Sequence, residues 1–94
     1  MDIDIRRDPD ESRYVLTVDG ALASALDYRE RGDAIAFPHT VTVPSFRGQG
    51  LADRLVTFAI DDVRARGITH VTPSCWYVAD WFARHPEHAE LIAQ

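Results

Sequence analysis

The stretch VPSFRGQGLA, Val43 to Ala52, sets Arg47, Gly48 and Gly50 between an apolar run of strand periodicity and the start of an amphipathic helical pattern. A backbone this bare at a strand-to-helix junction has two uses. It makes a tight turn, because glycine adopts positive φ without a Cβ penalty. Alternatively, it leaves the unpaired N–H groups of a helix's first turn open to an anion. A diphosphate fits such a nest, and Arg47 would add a charge-assisted bond at its rim. Glycine spacing alone leaves both uses open.

Upstream, Ala34 to Val43 reads as a strand with Ile35, Phe37, His39, Val41 and Val43 in phase on one face. Pro38 cannot donate to a ladder, so it marks an edge, a bulge or a place where the strand leaves its neighbour. Earlier still, IDIRRD is a short first strand, and Tyr14, Leu16 and Val18 alternate with Arg13, Thr17 and Asp19 in a second. Asp19-Gly20 is a two-residue hairpin signal. Ala21 to Arg29 is alanine-rich and competes with a helix, but the hairpin before it and Arg31-Gly32-Asp33 after it favour a strand. Downstream the period changes. Leu51, Leu55, Phe58, Ala59 and Val63, flanked by Val56 and Ile60, form one apolar stripe that Gly67 closes as a C′ residue. Ile68 to Pro73 follows as a short buried strand, and a second helix covers Trp76 to Arg84 ahead of Pro86. Four strands, a helix, a strand and a helix define an α/β (α+β) domain: an antiparallel meander joined through a crossover helix to a fifth strand.

Composition bounds the function. The chain has 94 residues and 46% apolar content, enough for one core and too few for two. Its net charge of −5 and ten basic residues, all arginine, argue against nucleic-acid binding, which needs clustered cations facing phosphates. The longest uncharged stretch, Ala34 to Phe46, is broken by Pro38, His39 and Pro44 and cannot span a bilayer, and the start MDIDIRRDPDE has no signal-peptide core. A lone Cys75 excludes an internal disulfide and agrees with a cytoplasmic setting. His70, His85, His88 and Cys75 lack a zinc spacing, so no metal is expected.

Arg47-Gly48-Gln49-Gly50-Leu51-Ala52 resembles the (Q/R)-x-x-G-x-(G/A) pyrophosphate loop of the GNAT superfamily of acyl-CoA N-acyltransferases. HTVTVPSF resembles the exit of that superfamily's fourth strand, and with TPSCWYVADWF the chain is similar to its very short single-domain members. The resemblance runs from about Asp33 to Pro86. It implies a V-shaped cleft between the fourth and fifth strands that takes acetyl-CoA or another acyl-CoA. The pyrophosphate would rest on Arg47, Gly48, Gln49, Gly50, Leu51 and Ala52. The pantetheine arm would run beside Val41, Thr42 and Val43 on one strand and Thr69 to Pro73 on the other. Ser74, expected to cap the last helix, joins the cofactor-binding residues. Larger members cover the acceptor with helices between the first two strands, whereas only DPDES lies there in this chain.

His39 and Cys75 are the candidate catalytic residues. His39, expected on the apolar face, would take the proton of an attacking ammonium, as imidazole titrates near neutrality; a core histidine bonded to a carbonyl is the alternative. Cys75, at the start of the last helix, would protonate the departing CoA or accept the acyl group itself; a small buried corner residue is its alternative. Many members protonate CoA with a tyrosine on the last helix. Trp81-Phe82 occupies that place here, with Tyr77 one turn earlier. Trp76, Tyr77, Trp81 and Phe82 read as a core aromatic cluster. The expected activity is acetyl-CoA-dependent N-acetyl transfer to an amine by a monomer or homodimer. The alternatives are a non-catalytic CoA-sensing module and an interaction domain.

Overall fold

The alternating N-terminal half lays down four antiparallel strands in a computed structural model that describes residues 1–93: β1 (Ile3–Asp8), β2 (Arg13–Val18), β3 (Ala21–Arg31) and β4 (Ala34–Thr42). Asp19 and Gly20 turn the second hairpin with φ of 50° and 85°, the positive pair a type I′ turn requires. That geometry commits the alanine-rich segment after it to a strand. Helix α1 (Leu51–Ala65) follows and stops at Gly67, whose φ is 77°. The chain then returns through β5 (His70–Thr72), parallel to β4, and enters α2 (Trp76–Arg84). A 3-10 turn over Pro86–Leu91, which the hydrophobic period did not foreshadow, follows. The sheet is open, in the order β1-β2-β3-β4-β5.

One face of the sheet carries the core. Tyr14, Leu16, Leu26, Ile35 and Phe37 meet Leu55, Val56, Ala59, Ile60 and Val63 of α1 and Val78, Trp81 and Phe82 of α2. Each such aliphatic or aromatic side chain contributes about 1.5–3 kcal/mol by leaving water, which is what holds short helices in place. At the far end of α1 the Tyr14 hydroxyl donates to Asp62 at 2.6 Å, and Arg66 donates to both carboxylate oxygens of Glu30 at 2.6 Å, tying the helix to the sheet.

The register of β4 corrects one expectation. Asp27 of β3 faces His39, but Arg29 faces Ala36, so Tyr28 opposes both Phe37 and Pro38. This is a β-bulge with its extra residue in β4, where a proline without an N–H is tolerated. The bulge inverts the faces. Ile35 and Phe37 point to the helices, and beyond the bulge it is Thr40 and Thr42, not His39 and Val41, that continue on that side. The His39 side chain is 65% exposed on the opposite, open face, and Val41 is also exposed. The expected single row from Ile35 to Val43 therefore does not exist.

Candidate functional site

Strands β4 and β5 pair only where Ala34, Ile35 and Ala36 face His70, Val71 and Thr72. Pro38 and Pro73, neither with an N–H, end the ladder on both sides. A last bond crosses the gap from the Cys75 N–H to the Phe37 carbonyl at 2.9 Å. Beyond it the strands part, and among the described residues the β5-facing edge of β4 has no ladder partner. The wedge is a cleft of about 460 Å³. Thr40 and Thr42 line it from β4, Cys75, Trp76 and Tyr77 from the start of α2, and Phe46 with the glycine loop from its end.

The loop supplies the cleft's positive end. A 3-10 turn over Pro44–Phe46 carries the chain out of β4, with the Phe46 N–H on the Val43 carbonyl at 2.8 Å. Gly48 and Gly50 have φ of 80° and 73°, and Gly50 is the N-cap of α1. A glycine cap offers no side-chain acceptor, so the amides of the first turn, beginning at Leu51 and Ala52, have no cap partner. Those amides and the helix dipole meet at the cleft. The Arg47 Nε donates to the Thr42 carbonyl at 3.4 Å, which sets the guanidinium at the rim.

Cys75 is the N-cap of α2, with ψ of 132° in the extended region; the expected cap, Ser74, lies one residue earlier, exposed, its N–H on the Thr72 carbonyl at 3.0 Å. Chain direction explains the shift: Pro73 prolongs the extended segment after β5, so the first helical residue is Trp76. The half-buried Cys75 Sγ lies 3.5 Å from the Thr40 Oγ1. Burial pushes the thiol up, but the Thr40 hydroxyl and the amides of Tyr77, Val78 and Thr40 outweigh it and leave the thiol below its ordinary value.

His39 lies across the strand from this thiol rather than beside it. Its Nδ1 is 3.4 Å from the Asp27 Oδ2 on the open face. Of the other residues expected to bind a ligand, Arg47, Gly48, Gly50, Leu51, Ala52 and Thr42 line the cleft, whereas Gln49, Val41, Val43 and Ser74 do not. Thr40, Phe46, Trp76 and Tyr77 join it. The aromatic cluster also divides. Trp81 is 1% exposed in the core, but Trp76 is 77% exposed at the cleft wall.

Tyr77 is held from behind. Its hydroxyl donates to the Asp53 Oδ1 at 2.7 Å, and burial followed by that carboxylate pushes the phenol up to about 12. Arg84 grips the same carboxylate through two bonds of 3.0 and 2.9 Å and holds Asp53 below the usual carboxylate range. Among the described residues no group of three His, Cys, Asp or Glu could hold a metal ion, and no helix is long and apolar enough to cross a membrane.

The molecule is thus an α/β domain whose open sheet splits beside a glycine-capped helix. Residues 13–91 match the sequence model described as GCN5-related N-acetyl-transferase, and the chain belongs to that family. In fold it is similar to a GCN5-like protein from Staphylococcus aureus, with a TM-score of 0.72 at 15% identity over 96% of this chain and 87% of the other. It is also similar to the ribosomal-protein-S18-alanine N-acetyltransferase of Escherichia coli, with a TM-score of 0.61 and 24% identity; the match covers 63% of this chain but only 38% of that enzyme. N-acetylglutamate synthase from Neisseria gonorrhoeae, whose structure holds coenzyme A and N-acetyl-glutamate, gives a TM-score of 0.61 at 20% identity over 88% of this chain and 22% of its own. No curated protein matches the sequence significantly.

Proposed function

We propose that the protein is an acyl-CoA-dependent N-acetyltransferase that binds acetyl-CoA in the cleft between β4 and β5 and passes the acetyl group to an amine. One observation carries this reading: the unpartnered amides of the α1 N-terminus, the free edge of β4 and the Cys75 thiol line a single cleft. The diphosphate rests on the loop from Arg47 to Ala52. The pantetheine arm follows Thr42 and Thr40 toward Cys75, where a β4 N–H faces the thioester oxygen and stabilises the oxyanion.

The amine arrives from the open face. His39, with its Nδ1 3.4 Å from the Asp27 carboxylate, takes one proton from the incoming ammonium through Nε2. The freed nitrogen then bonds to the thioester carbon. Collapse of the tetrahedral intermediate breaks the C–S bond, the Cys75 thiol gives its proton to the departing CoA sulfur, and the excess proton on the newly acylated nitrogen passes to the Cys75 thiolate, restoring the thiol. The lowered thiol supports that direction of transfer and also supports a two-step variant, in which the Cys75 thiolate accepts the acetyl group first. A reactive free thiol and an acyl-CoA substrate suit a reducing cytoplasmic setting.

The test is CoA thiol release from acetyl-CoA in the presence of primary amines, for the wild type, His39→Ala and Cys75→Ala, with a denaturing mass spectrum of each. Amine-dependent release that both substitutions slow supports the assignment, and an acetyl adduct absent from Cys75→Ala selects the two-step route. Binding of acetyl-CoA without release under any amine returns the protein to a CoA-sensing role.

A further inference from the structure

Asp53 is the third residue of α1, so a carboxylate stands in the first turn of the helix whose amides face the cleft. An acidic residue there normally stabilises the helix by meeting its positive end. In this chain the same positive end is where, on the reading above, a diphosphate must sit. An unmatched Asp53 would compete with the ligand for those amides and repel it.

The structure matches that charge from another element. Arg84, the last residue of α2, presents a two-toothed fork to Asp53, Nη1 to Oδ2 at 3.0 Å and Nη2 to Oδ1 at 2.9 Å, while its Nε donates to Asp80 at 2.9 Å. Tyr77, which lines the cleft, adds a third bond to the same carboxylate at 2.7 Å. The two side chains of the ion pair are 43% and 40% exposed, and pairs so exposed contribute little to stability. A planar fork with both oxygens engaged at such a site points to a role other than holding the fold together.

We infer that Arg84 is a positioning residue for coenzyme A: it masks the Asp53 charge at the α1 N-terminus and, through Asp53, fixes Tyr77 against the cleft. This rests on the proposal that the cleft binds CoA. The consequence is specific. Removing Arg84 leaves one extra negative charge near a multiply charged ligand, which weakens binding at low ionic strength and matters less when salt screens it.

Titration calorimetry with coenzyme A, at about 20 mM and about 500 mM NaCl, tests this on the whole chain. Arg84→Gln should weaken CoA binding about five- to tenfold at low salt, a difference that shrinks toward twofold at high salt. The double variant Asp53→Asn/Arg84→Gln should return to within about twofold of the wild type, since its amide side chain bears no charge to mask and still accepts from Tyr77. Arg84→Lys, which keeps the charge and loses the fork, should stay within about threefold. Wild-type affinity in Arg84→Gln overturns the inference. So does a double variant as weak as the single one, which would make Arg84 a mechanical strut. If the wild type itself binds no CoA, the cleft reading fails and this inference falls with it.

Discussion

Gly50 and Gly67 offer a matched pair of perturbations at the two ends of α1. Both hold left-handed backbone, with φ of 73° and 77°, and a Cβ built on either meets nothing within 4 Å. Alanine at either position therefore creates no clash within the protein and costs only the left-handed strain, about 1–2 kcal/mol. For a chain of this size that lowers the melting temperature by about 4–8 °C per kcal/mol, equally for both variants. Ligand binding separates them. Gly50 lines the cleft beside the unpartnered amides, so its new methyl group intrudes on the space a diphosphate needs. A charge-assisted hydrogen bond lost there is worth about 1.5–3 kcal/mol, or roughly a 10- to 150-fold rise in Kd for CoA. Gly67 lies past the other end of the helix, and Gly67→Ala should bind CoA as the wild type does. Thermal unfolding and calorimetric titration of the three proteins read both effects. Equal CoA affinity in Gly50→Ala and Gly67→Ala would refute the anion-site reasoning and leave Gly50 as a turn residue only.

Three further perturbations bear on the chemistry. Alkylation of Cys75 by iodoacetamide should reach half its limiting rate at a pH below the ordinary thiol value, and Thr40→Val should move that midpoint upward by removing a bond to the sulfur; an unmoved midpoint would deny Thr40 its role. The Tyr77 phenol should ionise near 12 rather than 10.0 in the difference titration of wild type against Tyr77→Phe at about 295 nm. Because the folded value lies above the unfolded one, burial of the neutral phenol, together with its bond to Asp53, adds stability fully below pH about 10 and loses it as pH rises toward 12. His39→Ala should slow acetyl transfer about 100-fold while leaving CoA affinity unchanged, the split expected of a general base outside the cofactor cleft. A matching loss of CoA affinity would contradict its position on the open face.

Local chemistry made much of this fold legible in the sequence. Asp19-Gly20 announced its turn because few residue pairs accept two positive φ angles, and the stripe from Leu51 to Val63 ended at Gly67 because a helix needs a left-handed exit. The loop from Arg47 to Ala52 was legible for the same reason. The face of β4 was not. Pro38 signalled a disturbance, but a bulge, an edge and a parting of strands share that signal, and only the bulge inverts every side chain after it. That inversion brought Thr40 to Cys75 and sent His39 to the open face. Ser74 satisfied the usual cap preference, but Pro73 carried the extended chain one residue further and left Cys75 in the cap. The clamp of Arg84 on Asp53 was invisible, since the two residues are 31 apart in sequence and meet only once α2 packs on α1.

On the proposed function one cleft, between β4 and β5 and closed by the glycine loop, receives coenzyme A. A titration of the uniformly ¹⁵N-labelled protein with coenzyme A, followed amide by amide, tests it most directly. The largest shifts are expected at Gly48, Gly50, Leu51 and Ala52, with a second group at Thr40, Thr42, Cys75 and Trp76, and unmoved signals at Gly67 and along β1. Shifts centred elsewhere, or none at concentrations that saturate a family member of known CoA affinity, would contradict it.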